Sequence, residues 1–441
     1  MIVQFSFSNY KSFRKNSVLN LTTSMGGIGT VVFPKYGYNL IQAAAIYGAN
    51  ASGKTVLFKA FDFLKSIVCP PMPKDDNIPI LNHWKSKYDT FRLNVDAKEL
   101  VSSFEVVFLM DNMQYRYRVE VNREVILSEC LFLDNGSGDE IQILERHDEN
   151  GKPVYSSPAS YLDANLMQLA LGSNVVSPTF SALRVLATFG EPLLKKVLGW
   201  FDNVKYVKAN YFVPPIPELL NERDKRDIIA FMKSFDFNIE DMKPHEINVE
   251  EIPDEIKKRM TEQANEHWYD DIQVGHKLYN NYNERLNVSE WFSLVKDESF
   301  GTNRLLSLSS HIISALSNNS VLLIDEFDSG IHPLVAKEIV ELFYGKTKSQ
   351  LIVNTQNISL FSQTCRKHPK RRLFRKDQIY FINKNRYGES SIDSLLNYSD
   401  TIDRDFEKHY LDGDVDAVPF VDTESLDKLL NQKTFNNYGE L

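Results

Sequence analysis

The chain lacks the marks of several common classes. No apolar run approaches the roughly 18 residues that cross a bilayer as a helix, so no membrane partner is expected. Cysteine is scarce. Cys69, Cys130 and Cys365 are odd in number and far apart, which argues against a disulfide framework or a zinc site and points to a reducing cytosol. The opening stretch MIVQFSFSNYKSF has polar residues at alternate positions from Gln4, not the unbroken apolar core of a secretory leader. A cytoplasmic location is the expectation. Positive charge is also short. Fifty Lys and Arg face 59 Asp and Glu, a net charge of −9, which argues against a general nucleic-acid coat and leaves room only for a local basic patch. There is no internal repeat, no low-complexity tract and no HNH-like nuclease pattern, and the chain runs only a little past VPFVD, so no further domain is expected.

What is present is ordinary globular composition. The 441 residues are 43% hydrophobic and 25% charged, enough for a sizeable core and two or three lobes. IVQFSFSNY alternates as a strand does. QAAAIYG is short and apolar, as a buried parallel strand would be, and it leads through a glycine-containing loop into KTVLFKAFDFLKSIV, which has helical spacing. From about Phe91 to Arg146, SSFEVVFLM, MQYRYRVEV, VILSECLFLD and EIQILER predict an antiparallel meander. From about Tyr161 to Glu290 the pattern reads as mostly helical, broken at Pro214, Pro215 and Pro217. The last third returns to α/β. TNRLLSLSSHIISALS and HPLVAKEIVELFYG predict helices; SVLLIDEF, QLIVNTQ and QIYFINKN predict strands. The expected division is a first lobe over 1–160, a mainly helical insertion or arm over 161–290, and a second lobe over 291–441.

Two motifs carry chemistry. GANASGKT, Gly48 to Thr55, fits G-x-x-x-x-G-K-[ST] in full, between a predicted strand and a predicted helix. In such a loop the backbone around Gly48, Asn50, Ser52 and Gly53 turns its N–H groups toward a phosphate. Lys54 reaches the β- and γ-phosphates, and Thr55 holds Mg²⁺. The helix that follows points its positive end at the anion. In SVLLIDEFDSG four apolar residues end in Asp325 and Glu326. An aspartate at such a tip can hold Mg²⁺ through its water shell. The glutamate beside it can act as general base on the attacking water. Asp325 lies 271 residues after Lys54, so the meander and the helical stretch must be inserted into one nucleotide-binding fold.

Taken together, ESFGTNRLLSLSSHIISAL, VLLIDEFDSGIHPLV and QLIVNTQN follow the order signature, Walker B, D-loop, switch strand. That order resembles ABC-type ATPases of the SMC and RecF branch. FSFSNYKSF is similar to that branch's N-terminal strand and turn. More narrowly, SFDFNIEDMK, DESFGTNR, KDQIYFINKN and YLDGDVDAVPFVD resemble the RloA- and AbiL-like AAA ATP-binding proteins of bacterial phage-defence loci. The resemblance runs from Phe5 to about Asp422.

The resemblance implies an α/β fold, an ABC-type P-loop ATPase head with an inserted β meander and a helical arm. It implies ATP and Mg²⁺ as cofactors. Ser299 and the Gly301 backbone would contact the γ-phosphate bound to a second subunit, although ESFGT departs from the commoner LSGGQ; the plain alternative is that Ser299 only caps a helix. Asp328 and Ser329 would cross a dimer interface, or form a simple turn. Gln356 stands where that pattern carries a histidine that senses the γ-phosphate, so it is the second candidate catalytic residue beside Glu326. No glutamine loop is assigned; neither Gln114 nor Gln168 sits in a convincing context.

The implied activity is ATP binding with slow hydrolysis in a homodimer or higher homo-oligomer. The assembly would act as a sensor, regulator or scaffold for an effector, such as a nuclease from the same locus, in anti-phage defence. One alternative is a RecF- or SMC-like DNA-repair ATPase, against which the acidic run NVEEIPDEI counts. Another is a nucleotide-stabilised scaffold with little turnover, which Gln356 favours. Nucleic acid as a partner rests on the cluster Arg366, Lys367, Lys370, Arg371, Arg372, Arg375 and Lys376, whose plainer reading is a solvated loop. His332 and His368 read as structural.

Overall fold

A computed structural model describes residues 1–69, 84–98, 101–149, 152–157, 161–172, 178–209, 215–235, 238–247, 268–345, 347–366, 368–398 and 406–413, with 422–425 and 427–428. The run NVEEIPDEI, Pro214, Lys367, two residues of SFDFNIEDMK and most of YLDGDVDAVPFVD lie outside the described residues.

The sheet that organises the molecule has six strands. Their order is Lys205–Val207, Val321–Ile324, Gln350–Asn354, Ala43–Tyr47, Ile379–Lys384 and Ser390–Ser394. The first five run parallel, and the sixth closes the edge antiparallel. Ala43–Tyr47 is central and buried on both faces, which is why it reads as an unbroken apolar run. Its side chains alternate. Ala44 and Ile46 enter one core, while Ala43, Ala45 and Tyr47 enter the other.

On the first face lies the helix Lys54–Val68. Leu57, Phe58, Phe61, Leu64 and Ile67 recur at helical spacing and are buried. They join the inner face of a seven-stranded antiparallel sheet, of order Lys152–Ser156, Glu140–Glu149, Ile126–Asp134, Met113–Val121, Ser102–Met110, Ile2–Ser8 and Ser17–Asn20. The predicted meander is its middle. Met110 pairs with Met113 across Asp111 and Asn112, both at positive φ, the geometry of a tight two-residue hairpin turn. On the second face the helices Phe300–Ser317 and Pro333–Phe343 bury Leu305, Leu308 and Ile312, and Ala336, Ile339 and Val340.

The mainly helical reading of 161–290 needs correction. Helices Ala164–Gly172, Ala182–Phe189, Pro192–Asn203, Ile216–Leu219 and Glu222–Lys233 are present. Beyond them, Ile239–Ile247, Trp268–Tyr279 and Arg285–Ser293 form a three-stranded antiparallel sheet. The last of these exposes most of its residues, Leu286, Val288 and Phe292 among them, so its apolar positions do not mark a buried face. Lys205–Val207 is a strand of the central sheet itself, too short to show a period. The basic segment is not a plain loop either. Thr364–Cys365 and His368–Arg372 pair as a small hairpin. Arg366 binds Glu338 at 3.2 Å and Arg375 binds Asp377 at 2.7 Å, so two of its charges are already neutralised.

Candidate functional site

Three strand ends meet where the central sheet delivers its C-terminal tips. The Ala43–Tyr47 strand runs into the glycine loop, Val321–Ile324 into Asp325 and Glu326, and Gln350–Asn354 into Thr355 and Gln356. They border a cleft of about 330 Å³, lined among others by Asn50, Ser52, Gly53, Lys54, Thr55, Glu326, Asn354 and Gln356. Ligands of open α/β sheets bind beyond the carboxyl ends of the strands, and this cleft lies there.

The loop keeps its shape through close approach. At Gly53, φ is +118°, and a Cβ would come within 2.8 Å of Ser390 Oγ and 2.9 Å of Ser12 Oγ. The helix Lys54–Val68 starts without a side-chain cap, so its first N–H groups remain available to an anion. The Lys54 ammonium donates to the carbonyls of Gly48 at 2.6 Å and Ala49 at 2.9 Å, folded back over the loop. Burial lowers its pKa, and the nearby charges of Asp325, Glu326 and Asp328 oppose that shift. Ser52 Oγ and Ser12 Oγ are buried without a protein partner beside this cradle. The unsatisfied hydroxyls, the uncapped helix start and the folded-back ammonium fit a bound phosphate chain.

The acids are built to match. Thr55 Oγ1 donates to Asp325 Oδ1 at 3.0 Å, so the two expected metal-holding groups meet although they come from opposite ends of the nucleotide fold. Tyr206 OH donates to Asp325 Oδ2 at 3.4 Å; burial, with the charge of Asp325 next, raises the phenol's pKa. Such a hydroxyl and carboxylate pair would hold Mg²⁺, directly or through water. No cluster of three or more His, Cys, Asp or Glu suited to a metal occurs among the described residues. Glu326 faces the cleft with φ at +49°, a left-handed backbone that is uncommon outside glycine. Gln356 Nε2 donates to Asn50 Oδ1 at 3.0 Å.

The residues expected to form a signature stand apart. Ser299 and Gly301 do not line the cleft of their own chain. Ser299 Oγ accepts the Thr302 N–H at 3.1 Å, capping the helix Phe300–Ser317. A Cβ on Gly301 would stand 2.8 Å from Gly330 O, so the start of this helix is tied to the loop that carries Asp328 and Ser329. That loop is a turn within its own chain, with Ser329 N–H donating to Glu326 O at 3.1 Å. His332 caps the next helix through Nδ1, which accepts the Leu334 N–H at 3.2 Å.

Several contributors had no role in the sequence reading. Asn354 was visible only as the first polar residue after an apolar run. Arg304 carried a signal, as a basic residue inside an apolar helical stretch; it is 1% exposed and donates to Asp325 O at 3.1 Å and Glu326 O at 3.3 Å. Lys11, Ser12 and Lys384 also line the cleft, with Lys384 Nζ donating to Ala51 O at 3.2 Å. Nothing near Lys384 in the sequence separates it from other surface lysines.

Residues 43–362 match the family model described as AAA domain, putative AbiEii toxin, Type IV TA system. The chain belongs to this family. The match begins at the strand Ala43–Tyr47 and ends just past the strand Gln350–Asn354, so it takes in the three strand tips that carry Lys54, Glu326 and Gln356, though not Lys384. The chain is thus an AAA-domain protein of α/β fold that also carries antiparallel sheets. Solved structures similar to this AAA-domain chain include an SMC head bound to the C-winged helix domain of ScpA, at 14% identity and a TM-score of 0.39, covering 89% of this chain and 97% of that one. The SMC head domain from Thermotoga maritima matches at 12% identity and a TM-score of 0.36, covering 89% and 98%. The SMC head with an extended coiled coil, bound to the C-terminal domain of ScpA derived from Pyrococcus furiosus, matches at 11% identity and 0.38, covering 89% and 96%. No curated protein matches in sequence.

Proposed function

We propose that this protein binds Mg²⁺-ATP in the cleft and hydrolyses it slowly. The observation that carries the reading is the meeting of Lys54, Thr55, Asp325, Glu326 and Gln356, from three distant segments, around one cavity. Lys54 would leave the Gly48 and Ala49 carbonyls for the β- and γ-phosphates. Thr55 and Asp325 would hold Mg²⁺, which supplies charge neutralisation at the phosphates. Glu326 would take the proton of the attacking water. Ser299 and Gly301, which do not line their own cleft, would complete the site of a second copy arranged head to tail. ATP would then gate a homodimer that regulates an effector protein in phage defence, a role in keeping with the toxin named in the family description.

A second reading has one observation behind it. Gln356 spends its amide N–H on Asn50 and carries no titratable proton, which suits a nucleotide-stabilised scaffold with little turnover.

The test is thermal denaturation with Mg²⁺-ATP, beside single-turnover hydrolysis, for the wild type and Lys54→Ala. Wild type should be stabilised and Lys54→Ala should not. Equal stabilisation of both would remove Lys54 from the site and the reading with it. Stabilisation without turnover would leave only the scaffold.

A further inference from the structure

Asn354 closes the Gln350–Asn354 strand and is 1% exposed. Its side chain works in two directions. The amide nitrogen donates to Asp325 Oδ1. The amide oxygen accepts the backbone N–H of Glu326 at 2.7 Å. Its own backbone carbonyl accepts the Phe327 N–H at 3.0 Å, so the turn that carries the acids is bound to the tip of the neighbouring strand.

That turn needs holding. Glu326 sits at φ +49°, a conformation a residue with a Cβ leaves unless its surroundings enforce it. Asn354 grips its N–H from one side and Arg304 its carbonyl, at 3.3 Å, from the other. The two acids depend on Asn354 differently. Asp325 also receives hydrogen bonds from Thr55 and Tyr206, so its carboxylate keeps an orientation when one donor is lost. Glu326 has its backbone fixed by these contacts, and the direction of its Cα–Cβ bond follows its φ. A small rotation there moves the carboxylate on the order of 1 Å, enough to cost about 10²-fold where a reacting group must be aligned.

We infer that Asn354 is a positioning residue for the proposed hydrolysis: it fixes the backbone of Glu326, and so the aim of its carboxylate, and acts on turnover far more than on nucleotide affinity. The inference rests on the hydrolytic reading above. It adds a residue outside the P-loop and the acid pair, at a place where an apolar side chain would continue the buried strand equally well. Asparagine suits the place because it alone offers a donor and an acceptor at the reach that spans Asp325 Oδ1 and the Glu326 N–H in one planar group.

The experiment compares wild type, Asn354→Ala, Asn354→Ser, Glu326→Gln and the double variant Asn354→Ala with Glu326→Gln. ATP affinity is measured by fluorescent-nucleotide displacement, and rate by single-turnover hydrolysis at saturating nucleotide. Asn354→Ala should bind ATP within about three-fold of wild type and turn over about 10²-fold more slowly. Asn354→Ser, whose shorter hydroxyl serves one partner at a time, should fall between them. It stands in for Asn354→Ala should the alanine variant not fold. The double variant should be no slower than Glu326→Gln alone, because a residue that acts through Glu326 has nothing left to position. Full additivity, or a loss of affinity matching the loss of rate, would show a general structural role and overturn the inference. So would a wild-type rate in both Asn354 variants while wild type itself hydrolyses ATP, an outcome that leaves the proposed function standing. A wild type that binds ATP but hydrolyses none would overturn the hydrolytic reading and this inference together.

Discussion

Gln356 Nε2 and Asn50 Oδ1 lie 3.0 Å apart, so the tip after the third strand of the central sheet touches the loop after the fourth. A γ-phosphate entering the cleft would compete with Asn50 for that amide proton. The contact would then make Gln356 a reporter of occupancy, and one that cannot carry a positive charge or relay a proton near neutral pH.

Replacing Gln356 by histidine should therefore raise the single-turnover rate while ATP affinity changes little. A charge-assisted bond is about twice as strong as a neutral one, a gain of roughly 1 kcal/mol, or about five-fold in rate. Gln356→Ala should slow the reaction by a similar factor. Rates are compared at equal nucleotide occupancy; three equal rates would place residue 356 outside the chemistry.

Glu326→Gln should bind ATP as the parent does and lose about 10²–10⁴-fold in turnover, since an amide cannot accept the proton of water. Size-exclusion chromatography with ATP should then show the dimer accumulating. A variant that hydrolyses at the parent rate shows that the base lies elsewhere.

Arg304→Met should cost about 1–3 kcal/mol in stability, because the buried carbonyl of Asp325 and the part-buried carbonyl of Glu326 each lose a donor. Burial already lowers the guanidinium's pKa, with Glu326, Asp325 and Asp328 opposing the shift, so the arginine is held there by the negative end of the site. Urea denaturation of the two proteins measures the difference. An unchanged midpoint would mean that water replaces both bonds.

Glu129 and Arg146, both without exposure, are cross-strand partners in the seven-stranded sheet and stand 3.8 Å apart. Glu129 accepts from Tyr117 OH at 3.0 Å, Ser181 Oγ at 2.7 Å, Ala182 N at 2.7 Å and Leu183 N at 3.1 Å, anchoring the helix Ala182–Phe189 to the meander. Glu129→Gln should destabilise by about 3–5 kcal/mol, since Arg146 stays buried without its counter-charge. Adding Arg146→Met should then cost less than its single substitution does. Simple additivity would show that the pair is not coupled.

The parts legible in the sequence share one property: each residue's environment is set by near neighbours. Gly48 to Thr55 turn and bind within one loop. The meander strands alternate because one face is buried along its whole length. Asp325 and Glu326 announce themselves as the polar end of an apolar strand. What escaped notice depends on distant partners. Asn354 matters because residues 325 and 326 lie beside it, and Lys205–Val207 is a strand because Val321–Ile324 offers it an edge. Arg285–Ser293 shows most of its side chains to solvent, so it is held by backbone pairing with Trp268–Tyr279 and not by a buried apolar face.

The position of Ala43–Tyr47 at the centre of its sheet has a consequence for how the protein is made. Both of its partners, Gln350–Asn354 and Ile379–Lys384, come from the last third of the chain. A ribosome releases this strand early, with five apolar or aromatic residues and two unpaired edges, and keeps it waiting until its neighbours emerge. An unpaired apolar strand is a template for association with other chains. The strand that leads into the P-loop therefore completes its pairing late although it is encoded early. Fragments that stop before Gln350 should be insoluble however much of the meander they contain, and a nascent chain stalled there is a natural client for a chaperone.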